Sequence, residues 1–128
     1  MDGYKAIISD SSFELSKKER VAFKDLSDAI SLDEATNAGE VVIPVKGYVV
    51  VDVHNEKSDN QNYKKYVIID NNGNKYVTGS DSLFSSFIDI WDDMSEGGDL
   101  EEFSIKVYKK PSKNYSGKSF ITCSLVMD

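Results

Sequence analysis

From residue 41 onward the chain alternates apolar and polar positions in short runs. The run "EVVIPVKGYVVVDV" is too rich in β-branched residues for a good helix, and it predicts one long strand over 41–53. Pro44 suits an edge or bulge in that strand, and Gly47 suits a bend. "YKKYVIID" predicts a second strand and "NKYVTG" a third. Between them "NNGN" holds Asn72-Gly73, a strong short hairpin signal, so Tyr63–Asp70 and Asn74–Thr78 are expected to form a hairpin. In "SDSLFSSFIDIWDDM", Leu83, Phe84, Phe87, Ile88, Trp91 and Met94 recur at steps of three and four. That spacing predicts an amphipathic helix capped by Ser80 or Ser82. "FSIKVYKK" alternates again, with Phe103, Ile105 and Val107 on one face and Ser104, Lys106 and Tyr108 on the other. "KSFITCSLVM" sets Ile121, Cys123 and Leu125 against Phe120, Thr122 and Ser124.

Ahead of these runs, "YKAIIS" predicts an edge strand. "LSKKERVAFKDLSDAISLDEA" predicts a single helix over 16–36, opened by a capping box of Ser16 and Glu19. Its expected apolar face holds Val21, Leu26, Ala29 and Ile30, and "NAG" at 37–39 ends it. The order after this helix is β-β-β-α-β-β. That is the order of an OB-fold, a five-stranded barrel with a helix between strands three and four. The expected fold is therefore mainly β with helices, one domain over 1–128, with the N-terminal helix at 16–36 and the barrel at 41–127. Nucleic-acid-binding OB-folds use the face of strands two and three and the loops joining strands one to two and four to five.

A chain of 128 residues is about one domain in length. Cys123 is its one cysteine, so no disulfide forms within it, which fits a reducing cytoplasm. The N-terminus has no run fit for a signal peptide, and no run of about 18 apolar residues predicts a membrane span. The expected location is the cytoplasm.

Charge changes the picture more than composition does. The net charge is -7, yet residues 103–127 carry five lysines and no acid. Just before them, Asp92, Asp93, Glu96, Asp99, Glu101 and Glu102 stand with no base between them. Single-stranded nucleic acid asks for cations along its phosphates and aromatic faces for its unstacked bases. "KVYKKPSKNYSGKSF" offers both. Lys106, Lys109, Lys110, Lys113 and Lys118 would neutralise phosphates, Tyr108, Tyr115 and Phe120 would stack bases, and Asn114 lies beside the tip ring. On the second strand Lys64, Lys65 and Tyr66 would extend the groove. The same residues also read as a solvated hairpin tip and a plain amphipathic strand.

Other chemistry finds no footing. His54 is the only histidine, so no histidine pair and no Cys/His zinc cluster can form. Cys123 lies on an apolar strand face and reads as a small core residue. "DNNGN" has its glycine too early for a calcium loop and reads as a turn. Trp91 reads as core. With no catalytic constellation, no metal site and no cofactor motif, the expectation is a binding protein rather than an enzyme.

The stretches "SDAISLDEA", "VHNEKSDN", "YVIIDNNGNKYVTGSDSLFSSFIDIWDDM" and "FSIKVYKKPSKNYSGKSFITCSL" together resemble a family of small single-stranded DNA-binding proteins of bacteriophages and mobile elements of Gram-positive bacteria. The likeness runs from about residue 16 to 127, and "HNEKSDN", "KYVTGS" and "KPSKNYSGKSFITCSL" are its most specific pieces. The resemblance implies an OB-fold that coats displaced single strands during replication or recombination of the element, without strong sequence preference. It also implies no catalysis and no cofactor. Single-stranded DNA is the expected partner, with replication or recombination proteins beside it and no membrane. The chain ends "LVMD", so recruitment of partners through a flexible acidic tail is not expected. The rival reading is an acidic OB-fold interaction module, or a DNA mimic that inhibits a nucleic-acid enzyme through the carboxylates at 92–102.

Overall fold

The computed structural model describes residues 4–26, 28–56, 62–98, 101–111 and 119–127. These are mainly β, with three helices. In chain order they are β1 (Tyr4–Ser11), α1 (Lys17–Lys24), β2 (Ile30–Ser31), α2 (Leu32–Ala35), β3 (Val41–Asn55), β4 (Asn62–Asp70), β5 (Lys75–Thr78), α3 (Asp81–Met94), β6 (Ser104–Pro111) and β7 (Ser119–Leu125). Chain contacts divide them into two compact units, the first of residues 1–30 and 46–79, the second of 31–45 and 80–128. Strand β3 runs through both.

In the first unit β3 pairs antiparallel with β1, placing Lys5 opposite His54 and Ile7 opposite Asp52. On its other side β3 neighbours β4, which forms an antiparallel hairpin with β5. Side chains alternate across a strand, so Val49, Val51 and Val53 of β3 share one face. Val49, Val51 and Val53 are buried with Val67 and Ile69 of β4. Phe13, Leu15, Phe23 and Leu26 pack against that cluster. Each fully buried aliphatic contributes about 1.5–3 kcal/mol. At Gly47 the reason for glycine is close approach. A Cβ there would lie 2.7 Å from Ser12 Oγ and 3.2 Å from the Phe13 ring. Ser12 exchanges hydrogen bonds with Tyr48 at this point, its Oγ accepting from the Tyr48 amide at 2.9 Å.

The expected hairpin at Asn72-Gly73 is present, and a buried carboxylate organises it. Asp70 accepts from the amides of Asn72 and Asn74 at 2.9 Å, and from Asn74 Nδ2 and Tyr76 Oη at 3.0 Å. Gly73, at φ 86°, supplies the left-handed residue that closes the turn. Burial pushes the Asp70 carboxyl up. The bonds from Asn74, Tyr76 and Asn72 outweigh that and hold it below the usual carboxylate value.

The single helix expected over 16–36 is not formed. Its start is as expected: Glu19 N donates to Ser16 Oγ at 3.2 Å, and Ser16 N donates to Glu19 Oε1 at 3.0 Å. The helix stops after eight residues, at Asp25, whose backbone is extended. A separate four-residue helix begins after Ser31, whose Oγ accepts from Glu34 N. Asp25, Ser27, Asp28 and Ser31 favour caps over helix interiors, so the segment lacks the local preference for one long helix. The face expected to be apolar splits accordingly. Val21 is 70% exposed, while Leu26 packs on the first unit's core.

In the second unit the first residues of β3 pair antiparallel with β6, and β6 pairs antiparallel with β7. The expected amphipathic helix is α3. Ser80 caps it, its Oγ accepting from Leu83 N at 3.2 Å, while Leu83 and Phe87 are buried. Trp91 is half-buried between Phe87 and Phe103, with ring centroids 6.1 Å from each. The helix lies along β7. Cys123 Sγ, on the inner face of β7, donates to the Leu83 carbonyl at 3.7 Å. No helix among the described residues is long and apolar enough to cross a membrane.

Candidate nucleic-acid interface

The second unit's sheet has two chemically different faces. Ile43, Ile105, Val107, Ile121 and Cys123 are buried on the inner one, along whose β7 strand α3 packs. The pleat turns the alternate residues outward: Val42 on β3, then Lys106, Tyr108 and Lys110 on β6, and Phe120, Thr122 and Ser124 on β7. The register fixes their neighbours. Val42 and Ser124 flank Lys106, Thr122 stands opposite Tyr108, and Phe120 stands opposite Lys110. Tyr108 and Phe120 are diagonal neighbours, about 7–8 Å apart at the backbone, which is within reach for aromatic side chains. Phe120 is 42% exposed and Val42 57%. A ring and an aliphatic side chain held open on a strand face make a surface for flat apolar groups.

Lys106 and Lys110 form no ion pair among the described residues, and residues 41–44, 104–110 and 120–125 contain no acid. The acids sit elsewhere in the same unit. Asp81, Asp89, Asp92 and Asp93 are exposed on α3, which covers the inner face. A helix with its side chains is about 10–12 Å across. At physiological salt the screening length is about 8 Å, so these carboxylates do little to cancel the field of the lysines on the opposite face.

The other expected site residues divide clearly. Lys109 falls on the Ile105–Val107 side of β6 and donates to Asn37 Oδ1, so it is turned away from the outer face. Lys113, Asn114, Tyr115 and Lys118 lie outside the described residues. Lys64, Lys65 and Tyr66 belong to the first unit. There Lys64 donates to Asp52 Oδ1 at 2.8 Å, and Lys65 is half-buried. Tyr66 requires a correction. It was expected to extend a binding groove, but it is only 7% exposed and its ring is not offered to a ligand. Residues 66–70 of β4 are buried on both faces, unlike 62–65 before them. Thr122, Ser124 and above all Val42 were not anticipated as surface partners. The signal for Val42 was its parity with Ile43 and Val45, masked by the continuous valine-rich run.

Elsewhere, burial pushes the Cys123 thiol up to about 11, so it stays protonated and inert at neutral pH. His54 Nδ1 meets Asn62 Oδ1 at 2.8 Å, and its Nε2 lies 3.7 Å from Glu56 Oε1. Among the described residues no group of three or more His, Cys, Asp or Glu could hold a metal ion. Compared with known protein families, with curated proteins and with solved structures, the chain matches none.

Proposed function

We propose that this protein binds single-stranded DNA, with little regard to base sequence, through the outer face built by Val42, Lys106, Tyr108, Lys110 and Phe120. The observation that carries the reading is the segregation on β6 and β7: two lysines with no ion pair among the described residues, and two aromatic rings, on strands whose sequence there holds no acid. Single-strand binding needs a cationic track and stacking surfaces, and this face supplies both. The element order, strands β3, β4 and β5, then α3, then strands β6 and β7, supports the OB-fold as its architecture. The work suited to such a protein is coating displaced strands during replication or recombination of a phage or mobile element in a bacterial cytoplasm, beside the proteins of that process. The role needs no catalysis and no cofactor.

The exposed acids of α3 favour one rival, a DNA mimic that occupies a nucleic-acid enzyme. Fluorescence anisotropy with labelled oligo-dT separates the two. Binding to oligo-dT that exceeds binding to duplex of equal length supports the single-strand reading. A protein that ignores oligo-dT refutes it and leaves the acidic helix as the interacting surface.

A further inference from the structure

The first unit has its own outer sheet face, and it holds a groove of about 350 Å³. Small-ligand clefts begin at about 300 Å³, so the groove is large enough for one compact ligand. Three strands line it: Lys5 and Ile7 from β1, Asp52 and His54 from β3, and Asn62 and Lys64 from β4. Their placement follows from strand parity. Ala6 and Ile8 pack inward against the core, which turns Lys5 and Ile7 outward beside their partners His54 and Asp52.

The groove combines an apolar wall with one cation, Lys5, that has no ion pair among the described residues. Ile7 is 49% exposed and forms the apolar wall of the groove. The charges around it are mostly spoken for. Lys64 and Asp52 pair at 2.8 Å, and Ser9 Oγ donates to Asp52 as well. The Lys64 hydrogen bond, against a smaller opposing effect of burial, holds the Asp52 carboxyl below its usual range, so the pair stays ionised. Glu56 faces His54 Nε2. Lys5 has no carboxylate partner among the described residues. Asn62 Oδ1 meets His54 Nδ1, and its amide nitrogen has no hydrogen-bond partner among the described residues.

We propose that this groove is a nucleotide seat, taking a base against Ile7 with its phosphate at Lys5 and its polar edge at Asn62. It rests on the single-strand reading for its physiological ligand, and it adds a contact surface in the first unit that the outer face of the second does not include. The occupant is identified by shape and charge. A nucleotide joins a flat apolar ring to one phosphate, matching one exposed aliphatic side chain and one ammonium without a carboxylate partner among the described residues.

His54 is the only histidine of the chain, so its ring signals report on this groove alone in a proton–carbon NMR spectrum. Titration with thymidine 5′-monophosphate should shift them saturably. Lys5→Glu and Ile7→Ser should each weaken that response at least about tenfold. The combined Lys106→Glu and Lys110→Glu variant should leave it unchanged. Lys5 and Ile7 are exposed on a strand, so both single variants should keep the dispersed methyl signals of the folded protein. Three results overturn the seat: no shift of His54, an equal shift with inorganic phosphate alone, or an unchanged response in both single variants. Wild-type protein that binds oligo-dT while His54 stays silent removes the seat and spares the proposed function. A saturable His54 response in protein that does not bind oligo-dT does the reverse.

Discussion

Strands β4 and β6 carry almost the same letters, "YKKY" in one and "KVYKK" in the other, and the fold puts them to different uses. On β4, Lys64 is taken by Asp52 and Tyr66 is buried. On β6, Lys106 and Lys110 have no acid on their face, and Tyr108 stands half-exposed beside Phe120. The difference lies in the neighbours. A lysine next to a carboxylate on the adjacent strand is largely neutralised before any phosphate arrives. A tyrosine covered on its outer side becomes core. A Lys–Tyr pattern is therefore a binding signal only where the flanking strands supply neither acid nor cover.

The comparison can be broken at its strongest point first. Tyr66→Ala should destabilise the fold by about 3 kcal/mol or more, the cost of emptying a buried aromatic site, and denaturant unfolding would read it. Tyr108→Ala should leave unfolding close to wild type. Equal effects from the two would erase the contrast between the strands. Next comes Asp70, the group that holds the β4–β5 turn. Asp70→Asn should cost about 1–3 kcal/mol at neutral pH. Because the folded carboxyl titrates below its usual value, the stability it contributes is full above the unfolded pKa of about 3.9 and fades as pH falls through the folded one. The gap between wild type and variant should therefore close in acid. A gap that stays constant down to pH 2 would show that the charge does not matter.

The stacking surfaces come third. Tyr108→Ala and Phe120→Ala should each weaken oligo-dT binding by about 1–3 kcal/mol with little change in melting temperature. Wild-type affinity in both would remove the rings from the interface. The smallest effect belongs to the ion pair of β4. Lys64→Ala should cost less than about 1 kcal/mol of stability, since the pair is exposed. It should also move the Asp52 carboxyl up toward its ordinary value, because the Lys64 hydrogen bond is the main cause of its lowering. Carboxyl NMR titration reads that shift, and an unmoved Asp52 would mean the bond is not formed in solution.

Much of the fold was legible in the sequence because period carries it. Alternation at 103–107 and 120–125, and the three-and-four spacing from Leu83 to Met94, placed β6, β7 and α3 and told their inner residues from their outer ones. The outward position of Lys106, Tyr108 and Phe120 followed from the same count. The segment 16–36 was misread because weak apolar spacing there competed with Asp and Ser residues that cap rather than extend a helix. Tyr66 was misread because burial on both faces is decided by what covers a strand, which no local pattern records. Val42 was hidden in a run that looks apolar throughout. The role of Asp70 appears only when the turn closes around it.

The central claim is that Lys106 and Lys110, rather than the lysines of β4, carry the phosphate contacts. The direct measurement is the affinity for oligo-dT as a function of salt, in wild type and in the variant with both changed to Glu. If both meet phosphates, the slope of log K against log salt should shrink by about 1.4, or 0.7 for each lost contact, and binding at moderate salt should be largely lost. Lys64→Glu, already paired on its own strand, should leave the slope close to wild type. A folded Lys106→Glu, Lys110→Glu variant that binds as tightly as wild type, with the same slope, would contradict the account.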